Sequence, residues 1–282
     1  MSGRRTVLVT GANGRIGVHV VRELRAHGAS VIPIDRVPGE WEDATLLDLA
    51  DFEALESVVE GRSVDAIVHL AGMPGRTQAA GHQIFANNIV ASHHVFALAR
   101  KHGVGHLIFA SSETLLGLPF TEAPPYLPVD EEVPNRFSSE YGLVKHLEER
   151  MAEQLSTWCP EMTVVGLLLA TVITPDAYGQ FRSFSADPDS RRYNLWSYVD
   201  ARDVGQAVRR ALSFDRKCFE RFLVAAADSV LDESSEDLVG THFGEVARTR
   251  ALHGSESLFS IDKSRRLLGY EPIHSWRSHV VA

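Results

Sequence analysis

The sequence predicts an α/β fold with a doubly wound parallel sheet, and three observations carry that prediction. Thr6-Val7-Leu8-Val9-Thr10 favours a strand, enters the turn Gly11-Ala12-Asn13-Gly14-Arg15-Ile16-Gly17, and leads into apolar residues at helical spacing: Ile16, Val20, Val21 and Leu24. Further short apolar segments at 30–35, 65–72 and 106–110 alternate with helical patterns, as buried parallel strands with crossover helices do. The composition, 282 residues with 44% hydrophobic and 23% charged, suits one large α/β domain or a domain with a small appended lobe.

A strand, a tight glycine turn and a helix are the context that a phosphate-binding loop requires. Gly11 permits the turn, Gly14 lets backbone approach a pyrophosphate, and Gly17 lets the helix pack closely on the strand. The helix start then offers N–H groups and partial positive charge to an anion, with Asn13, Arg15 and Ile16 as neighbouring contacts. The spacing is G-x-x-G-x-x-G, not the G-x-G-x-x-G dinucleotide fingerprint, and a ligand-free βα connection is the alternative. The next strand ends at Asp35, 18 residues beyond Gly17. An acid at this offset accepts from adenosine ribose hydroxyls and repels a 2′-phosphate, which favours NAD over NADP. Arg15 and Arg36 pull the other way, since either can pair with that phosphate.

The first helix should run from about Gly14 to His27, with Gly28 as its stop. Ala44–Leu49 reads as strand three. Asp48, followed by Leu49, either reaches an adenine amino group or caps the helix at 51–60. Asp65–Gly72 is a fourth strand entering a small-residue turn, where Leu70, Ala71 and Gly72 leave room for ribose and phosphates. His69, inside that strand, reads as structural. The helix at 83–101 has Asn87-Asn88 on its buried side, and a buried amide needs partners, so Asn88 is expected to bond to nearby site backbone. Strand five, 106–110, ends in Ser111-Ser112-Glu113-Thr114. Ligands sit at the carboxyl ends of strands in open parallel sheets, although a serine-rich helix cap is the alternative. A proline-rich loop, 119–134, then covers that edge.

Ser138-Ser139-Glu140-Tyr141-Gly142-Leu143-Val144-Lys145 opens a helix that continues through Leu147, Met151 and Leu155. Tyr141 and Lys145 are one turn apart on one face. A free tyrosine, with a pKa of about 10, is a poor base at neutral pH. A nearby ammonium stabilises the phenolate, so the pair suits moving a proton on or off a sugar or alcohol hydroxyl.

The formal net charge of −9 and the lack of a long basic run argue against a nucleic-acid surface. Two cysteines, Cys159 and Cys218, form no disulfide framework and fit a reducing cytoplasm. The basic start, Met1–Arg5, precedes an apolar run of strand length only, not a signal peptide. No apolar stretch approaches a membrane span, and no metal-ligand cluster stands out.

Taken together, Thr10–Gly17, Asp35, Asp48-Leu49, His69–Gly72, Asn88, Phe109–Ser112 and Tyr141–Lys145 resemble an extended short-chain dehydrogenase/reductase of the NAD-dependent epimerase/dehydratase family. The motifs follow family order over 5–175, and Tyr198–Val204 resembles the family's return to the core. The resemblance implies a Rossmann-type domain over 1–175. It also implies a mixed 176–282 segment holding a small substrate lobe and returning core elements at about 198–227. Tyr141 is implied as general acid/base, and Lys145 as the holder of the nicotinamide ribose that depresses the Tyr141 pKa. Ser112 would bond the reacting oxygen, with Ser111 on the cofactor. Three features depart from the family, one being Leu116 in place of a common tyrosine before Gly117. Ser112-Glu113-Thr114 lacks the paired carboxylates of the dehydratases, leaving Glu113 as a lone candidate acid. Leu168-Leu169 stands where Arg-Pro is usual.

Residues 176–198 read as polar loop and 228–258 as acidic and weakly patterned, too lean for a nucleotide-sugar lobe. Ser260–Gly269 reads as a capped helix stopped by glycine. A smaller substrate follows, and the character is closest to the family's uronate-dehydrogenase-like members, with Arg182 as a candidate carboxylate clamp. Three functions are weighed: an NAD-dependent oxidoreductase on a sugar or sugar acid, an epimerase with resident NAD, and a non-catalytic NAD sensor. The family often dimerises through the helices at 83–101 and 141–157, so a homodimer is expected.

Overall fold

The computed structural model describes residues 4–75, 77–120 and 122–278. The first three residues of the basic start, Thr121 of the proline-rich loop and the last four residues of the 176–282 segment lie outside them.

The amino-terminal half alternates as predicted. Strand β1 (Thr6–Thr10) is followed by α1 (Gly17–Ala26), β2 (Ser30–Asp35), β3 (Thr45–Leu46), α2 (Phe52–Val59), β4 (Ala66–His69) and α3 (Gly81–Lys101). Then come β5 (His106–Ser112), a short β6 (Tyr126–Leu127), α4 (Glu140–Trp158) and β7 (Thr163–Leu169). The carboxyl-terminal part adds β8 (Val172–Ile173), the short helices α5 (Phe181–Ala186) and α6 (Asp189–Arg192), β9 (Val199–Asp200) and α7 (Ala201–Ala211). It ends with β10 (Phe219–Val224), α8 (Ser235–His242), β11 (Ala247–Arg248) and α9 (Asp262–Leu268).

Seven strands form one sheet in the order β10-β7-β5-β4-β1-β2-β3, and every pairing is parallel. The chain order reverses between β1 and β4, so a crevice opens beyond their carboxyl ends. Every residue of β4 and β7 is buried, which explains their lack of polar alternation: helices cover both faces. On one face α1 packs against α7, closely enough that a Cβ on Gly205 would sit 3.1 Å from the His19 carbonyl. On the other, α3 packs against α4, with Val95, Phe96 and Leu98 in the core beneath them.

Three readings are corrected. Strand three shrinks to Thr45–Leu46, because Asp48 and Asp51 turn the chain into α2. Residues 176–198 are not a polar loop: they fold into short helices around the buried side chains of Tyr178, Phe181, Leu195 and Trp196. The weakly patterned 228–258 contains α8 and β11, and β11 pairs with β6 of the proline-rich loop. The helix read at 260–269 is α9, ended by left-handed Gly269 at φ 67°.

Asp51, Ser139, Asp200 and Ser234 cap α2, α4, α7 and α8 through their side chains, whereas α1 opens with no side-chain cap. Its start is instead shaped by close backbone approach. A Cβ on Gly17 would lie 2.0 Å from the Gly11 carbonyl oxygen, and one on left-handed Gly11 would lie 2.7 Å from the Ala71 nitrogen. Both contacts are with backbone, which cannot swing aside. Gly17→Ala is therefore expected to destabilise the fold by more than the 1–3 kcal/mol or so typical of overpacking and to weaken dinucleotide binding at least tenfold. Urea denaturation and cofactor titration check this; wild-type values in both would contradict the packing argument.

Candidate active site

The glycine turn sits at the carboxyl end of β1, and its outer side is open. Gly14 and Arg15 are exposed, and a Cβ on Gly14 would meet only the Gly11 carbonyl, at 3.2 Å. Among the described residues, no chain acceptor engages the Arg15 or Ile16 N–H. Uncapped amides beside an exposed glycine form a cradle for an anion, so the residues fit the pyrophosphate of a dinucleotide.

Asp35 does more than the sequence reading asks of it. Its carboxylate accepts from the backbone N–H of Asn13 at 2.8 Å, Arg36 at 2.7 Å and Val37 at 3.1 Å, fixing the glycine turn to the end of β2. It is half-buried, and its remaining acceptor capacity is available to ribose hydroxyls. The Asn13 side chain does not point at a ligand. It grips the following loop, donating to Val37 O and accepting from Trp41 N–H. Exposed Arg36 reaches Asn87 Oδ1 at 3.3 Å. Exposed Asp48 accepts from Ala50 N–H in a local turn, while Leu49 is buried and Asp51 is the α2 cap.

Beyond β4 the chain is tied down from two sides. Leu70 N–H donates to Thr10 O, and Ala71 N–H to Thr10 Oγ1. Buried Asn88 accepts from Met73 N–H at 2.7 Å and donates to Met73 O at 2.9 Å, holding the exposed Gly72 turn in place. That loop leans on the candidate tyrosine: a Cβ on Gly75 would fall 3.0 Å from the Tyr141 ring.

Tyr141 is half-buried at the start of α4, and Lys145 lies one turn below it, with Nζ 5.7 Å from the Tyr141 ring centroid. The Lys145 ammonium is buried. It donates to Ala110 O at the end of β5 and to Glu148 Oε2, both at 2.8 Å, leaving its third N–H for a ligand. Burial opposes its charge, but Glu148, Tyr141 and Glu149 together outweigh that and raise the lysine pKa. Ser112 caps the single turn after β5, accepting from Thr114 N–H and donating to Thr114 Oγ1. Thr114 in turn lies against Gly142. The end of β5 and the start of α4, which hold the candidate hydroxyls and ammonium, are thus joined through Lys145 on Ala110 O and Thr114 against Gly142.

Two sequence-predicted contacts, Ser111 and Glu113, point elsewhere. Ser111 is buried and donates to Glu149 Oε1 at 2.7 Å, on the far side of β5 from the cofactor crevice, where Arg221 pairs with the same carboxylate. Glu113 is buried, and its Oε1 accepts from Thr171 Oγ1, so it braces β8 and is no open acid. Arg182 is exposed on α5, beside a buried Phe181. The buried arginine of this segment is Arg191, stacked over Phe184 and Tyr193 and donating to Ser197 O. Leu195 and Trp196 follow it with φ of 55° and 53°, two successive left-handed residues fixed by burial. Nothing in their side chains signals that conformation in sequence.

Residues 7–225 match the NAD dependent epimerase/dehydratase family. The chain belongs to this family of NAD-dependent enzymes. The uronate dehydrogenase of Pseudomonas putida is 35% identical over 151 residues, 52% of this chain and 53% of that protein. The UDP-glucose 4-epimerase of Bacillus subtilis is 28% identical over 216 residues, 71% of this chain and 61% of that protein. The matched regions thus span about half to three-fifths of these relatives. A UDP-galactose 4-epimerase crystal structure covers 96% of this chain and 94% of its own at 25% identity and a TM-score of 0.68. A mutated uronate dehydrogenase shares the fold over 98% of this chain and 85% of its own, at 24% identity and a TM-score of 0.69. Family membership makes NAD the cofactor, and the cradle at Gly14 and the Asp35 carboxylate are compatible with it. No helix among the described residues is long and apolar enough to cross a membrane, and none of their His, Cys, Asp or Glu clusters could hold a metal.

His69, the residue read as structural, is buried between Thr10 and Ser92. Burial, reinforced by the Lys145 charge, lowers its pKa to about 3, so it is neutral in the fold. On unfolding it regains a pKa near 6.5 and takes up a proton below that pH. Stability from this group is thus complete above about pH 6.5 and declines as pH falls towards 3, by about 1.4 kcal/mol per pH unit. Urea denaturation from pH 7 to 4 should give a steeper loss for wild type than for His69→Gln, and parallel curves would refute the buried neutral imidazole.

Proposed function

We propose that the chain is an NAD-dependent oxidoreductase that moves a hydride between the cofactor and a hydroxyl or carbonyl of a small sugar or sugar acid. The observation that carries this reading is the Tyr141–Lys145 pair, with a buried, charge-compensated ammonium one turn below a half-buried phenol at the cofactor crevice. A sensor of NAD has no use for that pair. When bound, NAD supplies the hydride acceptor or donor.

The chain's own groups handle the proton. As the phenolate, Tyr141 takes the proton of the reacting hydroxyl and becomes the phenol; as the phenol, it returns that proton to a carbonyl. The Lys145 charge stabilises the phenolate, and its third N–H would hold the nicotinamide ribose. Ser112 turns its hydroxyl proton from Thr114 to the reacting oxygen and keeps the Thr114 N–H as its fixed support.

A hexuronate is the favoured substrate, oxidised at C1. The 35% identity to a uronate dehydrogenase, and the short helices α5, α6 and α8 in place of a large appended domain, support a small ligand. Arg182 is the residue to test as carboxylate clamp. The second reading, a nucleotide-sugar epimerase that keeps its NAD, draws on the longer match to UDP-glucose 4-epimerase. We further propose a homodimer through α3 and α4, where Val90 and Leu143 are 38% exposed; a strict monomer in sedimentation at micromolar concentration would rule it out.

The test is NADH absorbance with purified protein, NAD and a panel of aldoses, hexuronates and simple alcohols. NADH should accumulate with a hexuronate, and Tyr141→Phe should lower kcat by roughly 10²–10⁴-fold, the range of general acid–base catalysis. Full turnover in that variant would overturn the role of Tyr141. Absence of NADH, with NAD released on denaturation, would favour the epimerase.

A further inference from the structure

Lys145 is the end of a buried chain of hydrogen bonds that runs from α4 through α3 to β4 and β1. Glu148 Oε2 accepts from Lys145 Nζ at 2.8 Å, and Glu148 Oε1 accepts from Ser92 Oγ at 2.7 Å. Ser92 Oγ lies 3.0 Å from His69 Nε2, and His69 Nδ1 lies 2.8 Å from Thr10 Oγ1. Thr10 is the last residue of β1, and its Oγ1 also receives the Ala71 N–H. Thr10, His69, Ser92, Lys145 and Glu148 are all buried, so water is not there to substitute for a missing partner.

The direction of every proton in this chain follows from one charge. A carboxylate only accepts, so the single Ser92 hydroxyl proton goes to Glu148. Ser92 must then accept from His69, which places the imidazole proton on Nε2. His69 Nδ1, left without a proton, accepts from Thr10. The Thr10 oxygen is then free to accept from Ala71. No other assignment satisfies all five groups.

We propose that Glu148, oriented through Ser92, His69 and Thr10, is the positioning residue for Lys145. It holds the ammonium charged and fixes one of its three N–H directions, and with Ala110 O fixing a second, the third is left for the ribose. The chain also ties that ammonium to the strand that opens the glycine turn. This inference rests on the reading of Tyr141 and Lys145 given above.

Its first test needs no turnover. Long-range ¹H–¹⁵N correlation at His69 should show the neutral Nε2–H tautomer. In Glu148→Gln the amide donates to Ser92, the hydroxyl proton turns to His69, and the tautomer should invert to Nδ1–H. A wild-type Nδ1–H tautomer, or a tautomer indifferent to Glu148→Gln, overturns the directed chain. The second test is kinetic. Glu148→Gln should lower kcat at least tenfold and raise the KM for NAD severalfold, with the sugar KM little changed. Ser92→Ala, which keeps the ion pair, should lower kcat severalfold, and Ser92→Thr should restore it. Wild-type kcat in Ser92→Ala and Glu148→Gln overturns the positioning role while leaving the oxidoreductase reading intact. If wild type turns over none of the panel, that reading fails, and the tautomer result still decides whether the chain is directed as described.

Discussion

The buried pairing of Lys145 with Glu148 is the constraint around which the site is arranged. Removing one partner of a buried ion pair costs about 3–5 kcal/mol, because the survivor is left charged in a poorly solvated place. Against a total stability of about 5–15 kcal/mol, that is a large fraction. The arrangement persists because neither charge relies on the other alone. Lys145 also donates to Ala110 O, and Glu148 also accepts from Ser92. Adjacent Glu149 makes a second buried ion pair, with Arg221, and takes the Ser111 hydroxyl as well. Helix α4 is therefore fastened to the end of β5 by the Lys145 ammonium and the Glu149 carboxylate, and to α3 by Glu148.

That fastening gives the proposed acid/base residue a rigid support. Tyr141 sits on the first turn of α4, where Ser139 secures the helix start by accepting from Gly142 N–H. The ammonium below it is immobile and charged. In the proposed reaction the phenol would exchange its proton beside groups that need not rearrange, the preorganisation that electrostatic catalysis requires. On the cofactor side the same economy recurs. Asp35 serves three backbone amides before any ribose, and Asn88 fixes the loop that borders Tyr141.

Several expected ligand contacts are supports instead. Asn13, Ser111 and Glu113 are each of a residue type suited to binding, at or next to the carboxyl end of a sheet strand. Each spends its hydrogen bonds on neighbouring chain: Asn13 on the 37–41 loop, Ser111 on Glu149, and Glu113 on Thr171. Linear sequence separates these pairs by 24 to 58 positions, so nothing local distinguishes a residue facing the ligand from one facing the frame.

The sequence by itself determined the alternation of strands and helices, the glycine turn, and the Tyr141–Lys145 spacing. These depend on interactions within a few residues: β-branched runs, steric freedom at glycine, and one helical turn. It also marked Asn88 as a buried amide in need of partners and His69 as structural. Only the tertiary structure decided who those partners are. Ser92, Glu148, Glu149 and Arg191 carry no local signature, since an ordinary serine, glutamate or arginine on a helix reads as solvated surface. Residues 176–198 misled for the same reason. Their polar composition hides a few large side chains, Tyr178, Phe181 and Trp196, whose burial depends on elements more distant in the chain. Where a side chain's role is set by long-range packing, composition records its chemistry but not the direction in which it points.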